Sequence, residues 1–405
     1  MPEKSAKKLP KDSLLLQELD ESACIAHHYG FIPIITPKIT TDDKTKGKTL
    51  KTTESHPGET EEQIAVMRLF QEGAFARTPQ PPMVYFKKPF VGSDVRKKPN
   101  TEMCGLEAVG ANKSTAEALI IKTAWTILTE SGATDMRVEI NSMGDKESFV
   151  RFERDLHIYF RKHIHTLSGE MRQKFKENNL DILSTEEGKT EDDNEFIRNA
   201  PKPMACLSEP SRVHFKEVLE FLETTGIPYQ IQPGLIGNKQ YHSHTIFEIK
   251  GKASKTVPET TLAYGERYNY LAKKIGFKKD VQSCGATLFI PKQNTQKTKK
   301  NILLEKMKHP RLYIVQLGTL AKLQTLNIIE LLREENIPVY HALTKENIGG
   351  QLQAAEYLQV SHLLIIGQKE ALEKSVVVRS TDLRVQETVN VCDLCEYLKS
   401  ILKGN

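Results

Sequence analysis

The sequence predicts an α/β protein built in two parts, and three observations carry that reading. From Leu312 onward, short apolar runs and amphipathic stretches alternate with brief connections, the pattern of a small α/β domain on a mostly parallel sheet. Phe149, Phe152, Leu156, Phe160, Ile164, Leu167, Met171 and Phe175 step by three or four, which makes one long amphipathic helix or two joined. Between these regions, Pro291 to His309 is rich in lysine and amides, and its apolar cluster is Ile302-Leu303-Leu304, so it reads as a linker. The boundaries are a polar tail over 1–11, a first domain over 12–290 with a helical insertion at about 146–200, a linker over 291–310, and a second domain over 311–405.

The elements follow in order. Phe31 to Pro37 is a strand whose prolines remove ladder donors and so place it at an edge or interface. Lys38 to Thr60 turns to Lys, Thr and Asp and reads as a solvated loop, before Ile64, Met67, Leu69 and Phe70 restore helical spacing. Met83 to Phe86 and Met103 to Val109 are strands on either side of a loop carrying Arg96, Lys97 and Lys98. Ser114-x-x-Glu117 is a capping-box pattern that starts a helix ending at Gly132, and Met136 to Ile140 is the next strand. The acidic stretch Thr185 to Glu195 reads as a loop. His214-Phe215 leads an amphipathic helix that closes at Gly226. In the second part, strands at 312–315, 338–343, 362–366 and 375–379 alternate with helices at 320–335, 351–358 and 392–402.

Composition sets the outer limits. The 405 residues are 39% hydrophobic and 27% charged, which describes an ordinary globular protein with two or three cores. No apolar run approaches the roughly eighteen residues of a membrane span, and the N-terminus lacks a secretory pattern, so a cytoplasmic location is expected. A net charge of +5 suits a phosphate-rich partner without demanding one. Cys392 and Cys395 form a C-x-x-C with no second pair nearby, which favours small packed residues over metal ligands. His242 and His244 would share one strand face by alternation, yet no third ligand lies in reach, and no metal is expected. A phosphate-binding P-loop and a dinucleotide fingerprint are both absent.

Several segments resemble the histidyl-tRNA synthetase family in order and spacing. Gly30-Phe31 and Pro37 resemble the first class II motif, and Glu139-Ile140-Asn141-Ser142-Met143-Gly144 resembles the stretch after the second. Leu235 to Glu248 and Tyr264-Gly265-Glu266-Arg267-Tyr268-Asn269-Tyr270-Leu271 resemble the family's later signatures. Gly367-Gln368-Lys369-Glu370 and Val376-Val377-Val378-Arg379 are similar to elements of its anticodon-binding domain. The resemblance implies a class II, α+β antiparallel sheet with flanking helices and a helical insertion, followed by that small α/β domain. It also implies a homodimer through the strand bearing Pro37.

Adenylate formation needs fixed cations around phosphate and carboxylate, where negative charge concentrates. The resemblance places the family's motif-two arginine at Tyr85 and its histidine-specific arginine at Gly237. The motif-three arginine falls within 281–289, and no arginine occurs between Arg267 and Arg311. Tyrosine, glycine and a segment without arginine cannot supply a guanidinium fork. No catalytic residue is therefore assigned.

Pocket remnants implied by the resemblance are Glu59, Thr60, Glu107, Tyr241, Arg267 and Tyr268, whereas Met103 replaces the amino-binding glutamine. Glu107 matches the glutamate that contacts the histidine imidazole; a strand carboxylate paired with a neighbouring cation is the structural alternative. For Arg267 and Tyr268 the residue types favour a role in holding the sheet together over ligand contact. Arg96, Lys97 and Lys98 are candidate RNA contacts.

The function these features imply is a histidyl-tRNA synthetase paralogue without adenylation, acting in tRNA binding or as a regulatory, partner-binding dimer. The alternatives are an active histidine–tRNA ligase, which would use ATP and Mg²⁺, and a protein scaffold without RNA. Neither DNA nor membrane is an expected partner.

Overall fold

The computed structural model describes residues 14–16, 18–50, 59–76, 78, 80–88, 101–180, 188, 190–254, 256–291, 302–303, 310–345, 347–383 and 385–403. The chain divides into two compact units that do not follow chain order: one takes 1–37, 69–87 and 293–405, the other 38–68 and 88–292.

The chain opens with β1 (Glu18–Leu19), α1 (Glu21–His28) and β2 (Ile32–Pro33). Asp20 caps α1 by accepting from the Ala23 N–H at 2.9 Å. Pro37 lies beyond β2, buried and outside any regular element.

The stretch read as a solvated loop contains α2 (Thr41–Leu50). Its polar sequence hides the helix, which is fixed by buried Asp43. That carboxylate accepts from the Thr40 N–H at 2.8 Å and pairs with Arg68 on α3 (Glu59–Gln71). Next come β3 (Met83–Lys88) and β4 (Thr101–Val109), then α4 (Ser114–Glu130) and β5 (Thr134–Ser142). α4 starts differently from its predicted capping box. Lys113 is the N-cap, Ser114 bonds Glu217 at 2.5 Å, and Glu117 turns inward to other partners.

The insertion is three helices: α5 (Lys146–His163), α6 (Gly169–Glu177) and α7 (Glu191–Asn199). The apolar stripe closes on itself, with Phe160 stacked on Phe175 at 3.7 Å between centroids and Phe196 edge-on at 6.3 Å. α7 corrects the loop expected over Thr185 to Glu195. Thr190 caps it and Phe196 buries against the stripe, so a short acidic segment becomes helical through one aromatic anchor. Residues 185–187 and 189 of that stretch lie outside the described residues.

A 3₁₀ turn at Pro203–Cys206 leads into α8 (Glu209–Thr224), whose N-cap is Ser208. β6 (Tyr229–Ile231), β7 (Ser243–Lys252), β8 (Thr260–Arg267), α9 (Leu271–Lys274) and β9 (Ser283–Pro291) follow. Within this unit the strands run β4-β9-β8-β7-β5-β6, antiparallel except for the β5–β6 pair. α4 and α8 pack on each other and on β4, β9, β8 and β7.

Part of the expected linker is a strand, β10 (Ile302–Leu303), paired antiparallel with β1. The C-terminal elements are β11 (Leu312–Gln316), α10 (Thr319–Glu334), β12 (Tyr340–His341), α11 (Ile348–Tyr357) and β13 (His362–Ile366). α12 (Gln368–Glu373), β14 (Ser375–Ser380), β15 (Gln386–Asn390) and α13 (Leu394–Lys403) complete them. The sheet order is β12-β11-β13-β14-β15, parallel across the first three strands and antiparallel across the last three, so it is mixed rather than mostly parallel. Among the described residues, no helix is long and apolar enough to cross a membrane.

Candidate functional site

Strand alternation builds the site. Glu107 on β4 faces Gly285 on β9, which faces Glu266 on β8, so the three form one row across the sheet. The next row, Ala108–Cys284–Arg267, points to the opposite face. Gly285 leaves the space that the Glu107 carboxylate fills, and a Cβ there would collide with it.

Glu107 is buried and accepts from the Tyr268 hydroxyl. Burial pushes its carboxyl up to about 8, against the opposing pull of Tyr268 and Lys88. α3 brings three more polar groups to this side. Thr60 bonds the Tyr241 hydroxyl at 3.2 Å, Gln63 donates weakly to Glu266 at 3.5 Å, and Glu62 lies 3.7 Å from the Lys88 ammonium. Burial raises the Glu62 carboxyl, with Lys88 opposing. Lys88 also donates to Thr287 at 3.2 Å. Through these two contacts the Lys88 ammonium reaches the cluster. Tyr85, at the expected arginine position, instead bonds Ser22 at 3.0 Å, and Lys87 pairs with Asp20.

Arg267 faces the helices and is wholly engaged. Its Nε donates to Glu117 at 2.6 Å and one terminal nitrogen donates to the other carboxylate oxygen. The Ala111 and Lys113 carbonyls at 2.6 and 3.1 Å, with Asn269 at 3.4 Å, take the remaining donors. His214 adds a 2.6 Å contact to Glu117. Burial alone would raise the Glu117 carboxyl, but Arg267 and then His214 hold it well below the usual range. A guanidinium with every N–H committed has none left for a ligand.

Gly237, the expected position of the histidine-specific arginine, lies under the His242 ring, and a Cβ on it would run into the imidazole. His242 Nδ1 sits 2.9 Å from Glu266 Oε2. The two histidines expected on one face are separated. His242 precedes β7, whereas His244, with φ at +51° beside a register shift, packs 4.7 Å from the His214 ring. Burial, then His214 and Arg267, lower His244 to about 3. Among the described residues no group of three or more His, Cys, Asp or Glu could hold a metal ion. Arg212 is exposed and pairs with Glu209. Glu59 opens α3, but its side chain lies outside the described residues, as do Arg96, Lys97 and Lys98.

Residues 312–401 match the anticodon binding domain model. A histidine–tRNA ligase of Fervidobacterium nodosum is 30% identical over 298 residues, covering 73% of this chain and 68% of that protein. The chain belongs to the histidine–tRNA ligase family. The ligase of Bacillus licheniformis is 27% identical over 342 residues, covering 83% of this chain and 79% of that protein. The apo histidyl-tRNA synthetase of S. aureus shares the fold, with a TM-score of 0.50 at 23% identity over 93% of both chains. Within this family frame, the site brings together Thr60, Glu107, Tyr241 and Tyr268 and leaves Arg267 on the other face of the sheet. Glu62, Gln63, Glu117, His214 and Glu266 went unassigned in the sequence. A carboxylate opposite a glycine across a strand pair is a signal for the Glu107–Gly285–Glu266 row, but it becomes readable only once register is known.

Proposed function

We propose that this member of the histidine–tRNA ligase family binds tRNA through its C-terminal module, beginning near residue 311, without forming an aminoacyl-adenylate. The observation that carries the reading is the fate of the cations. Arg267 is committed to Glu117, and the His242 ring covers Gly237. The described side chains around the sheet row are three carboxylates, Glu62, Glu107 and Glu266, against one ammonium, Lys88. Such a set offers the phosphates of a nucleotide one ammonium and, among the described side chains around the row, no guanidinium to draw charge off them. ATP and Mg²⁺ accordingly belong to the ligase alternative. The RNA-binding half is supported by the match of 312–401 to the anticodon binding domain and by the net charge of +5.

The test uses the full chain. Histidine-dependent ATP–pyrophosphate exchange is expected to be absent, and a rate of roughly 1–1,000 per second would establish the ligase instead. Unmodified tRNA is expected to bind at low salt and to lose affinity steeply at moderate salt as counterions stay with the phosphates. No complex at low salt would leave the protein-scaffold reading. A homodimer through the segment around Pro37 belongs to the same proposal, supported by half-exposed Ile35 beside it. A monomer throughout sedimentation analysis would remove it.

A further inference from the structure

The row Glu107–Gly285–Glu266 ends against an imidazole supplied by the chain itself. His242 is not part of β7; it sits on the 237–242 turn, where its side chain is 1% exposed. Two neighbours define its seat. On one side Gly237 leaves no room for even a methyl group beside the ring. On the other, Nδ1 meets Glu266 Oε2 at 2.9 Å. A carboxylate oxygen accepts, which places a ring proton on Nδ1. Nε2 is buried and has no hydrogen-bond partner among the described residues. Glu266 is held from its other oxygen by Gln63 of α3, and the adjoining Tyr241 is tied to Thr60 of the same helix. The ring therefore rests in a pre-formed polar seat, bonded through one nitrogen, in the manner of a small ligand in a buried site.

We propose that Glu266, Gly237 and their neighbours form an imidazole-binding site whose occupant in the native chain is the His242 side chain, so that the seat is closed to free ligands. This inference is independent of the RNA-binding reading, and its test contains no RNA.

The full-length His242→Ala variant removes the occupant and leaves the seat. An engineered cavity in a protein interior can take up a small ring of matching shape, and here Glu266 supplies an acceptor for a ring N–H. Free imidazole is expected to raise the melting temperature of H242A saturably, with an affinity in about the millimolar range typical of a single-ring ligand. Wild type should show no such shift. Thiazole, similar in size but lacking an N–H for Glu266, should bind H242A at least tenfold more weakly. Equal imidazole responses from folded H242A and wild type, or none from H242A, would overturn the proposal.

A second measurement needs no variant. Exchange of histidine C2 protons, read by mass spectrometry on the native chain, should be far slower at His242 than at exposed His165. Comparable exchange would show that the ring does not occupy the seat, and this result decides the matter if H242A fails to fold.

Discussion

At Arg267 two readings of one residue part company. Its sequence context suggests either a ligand contact or a sheet clamp, and its five N–H groups all point at protein acceptors: the Glu117 carboxylate, the Ala111 and Lys113 carbonyls, and Asn269. The buried Arg267–Glu117 pair is stable only as a pair, because each charge left alone would sit desolvated. Arg267→Met is therefore expected to cost about 3–5 kcal/mol, the usual penalty for stranding a buried partner. Adding Glu117→Gln should recover part of that loss, so the double variant is less destabilised than the sum of the singles. Urea unfolding of the four proteins checks both statements. Additive losses would mean that the guanidinium and carboxylate act independently, and a negligible loss in the single variant would remove the clamp.

Among the elements, legibility followed how much of each element's cause is local. The α5–α6 stripe could be read directly, since Phe152, Leu156, Phe160, Met171 and Phe175 repeat with helical period and all are buried. α2 could not, because its stability comes from Asp43 meeting Arg68, a partner 25 residues away. The antiparallel turn of the C-terminal sheet at β14 and the existence of β15 also depended on pairing that propensity does not reveal. The same limit applied to the site: Gly237 and His242 were both noted in the sequence, but their contact required the fold. For the insertion, the stacked Phe160 and Phe175 rings and edge-on Phe196 make the joint between α5, α6 and α7. Phe160→Ala is expected to cost about 3–5 kcal/mol. Hydrogen exchange should then rise first in 146–199, before the β4–β9 strands. Protection lost evenly across the chain would mean that the insertion is not a separable layer.

At the scale of the molecule, the compact unit containing the C-terminal module also takes in the first 37 residues, and acid sensitivity is expected of the contacts this brings together. α1 lies against α10: His28 Nε2 meets the Ile329 carbonyl at 3.0 Å, and the Tyr29 hydroxyl bonds Glu330. His341 packs beside Gly30. Burial first, then the nearby Arg333 and His27, push His28 down to about 4, despite the opposing Ile329 contact. Burial and His28 lower His341 to about 4. Both rings are thus neutral in the folded chain at pH values where the unfolded chain, with histidines near about 6.5, already binds protons. A depressed folded value means that stability is fully present above about pH 6.5 and is lost as pH falls toward 4. Each ring should contribute a slope of roughly 1 kcal/mol per pH unit inside that window. His28→Gln, which cannot titrate, should make the decline shallower while leaving stability above neutral pH comparatively unchanged. Melting temperatures of wild type and H28Q between pH 7.5 and 4.5 would show this. Parallel curves for the two proteins would mean that His28 does not couple protons to the seating of α1 on α10.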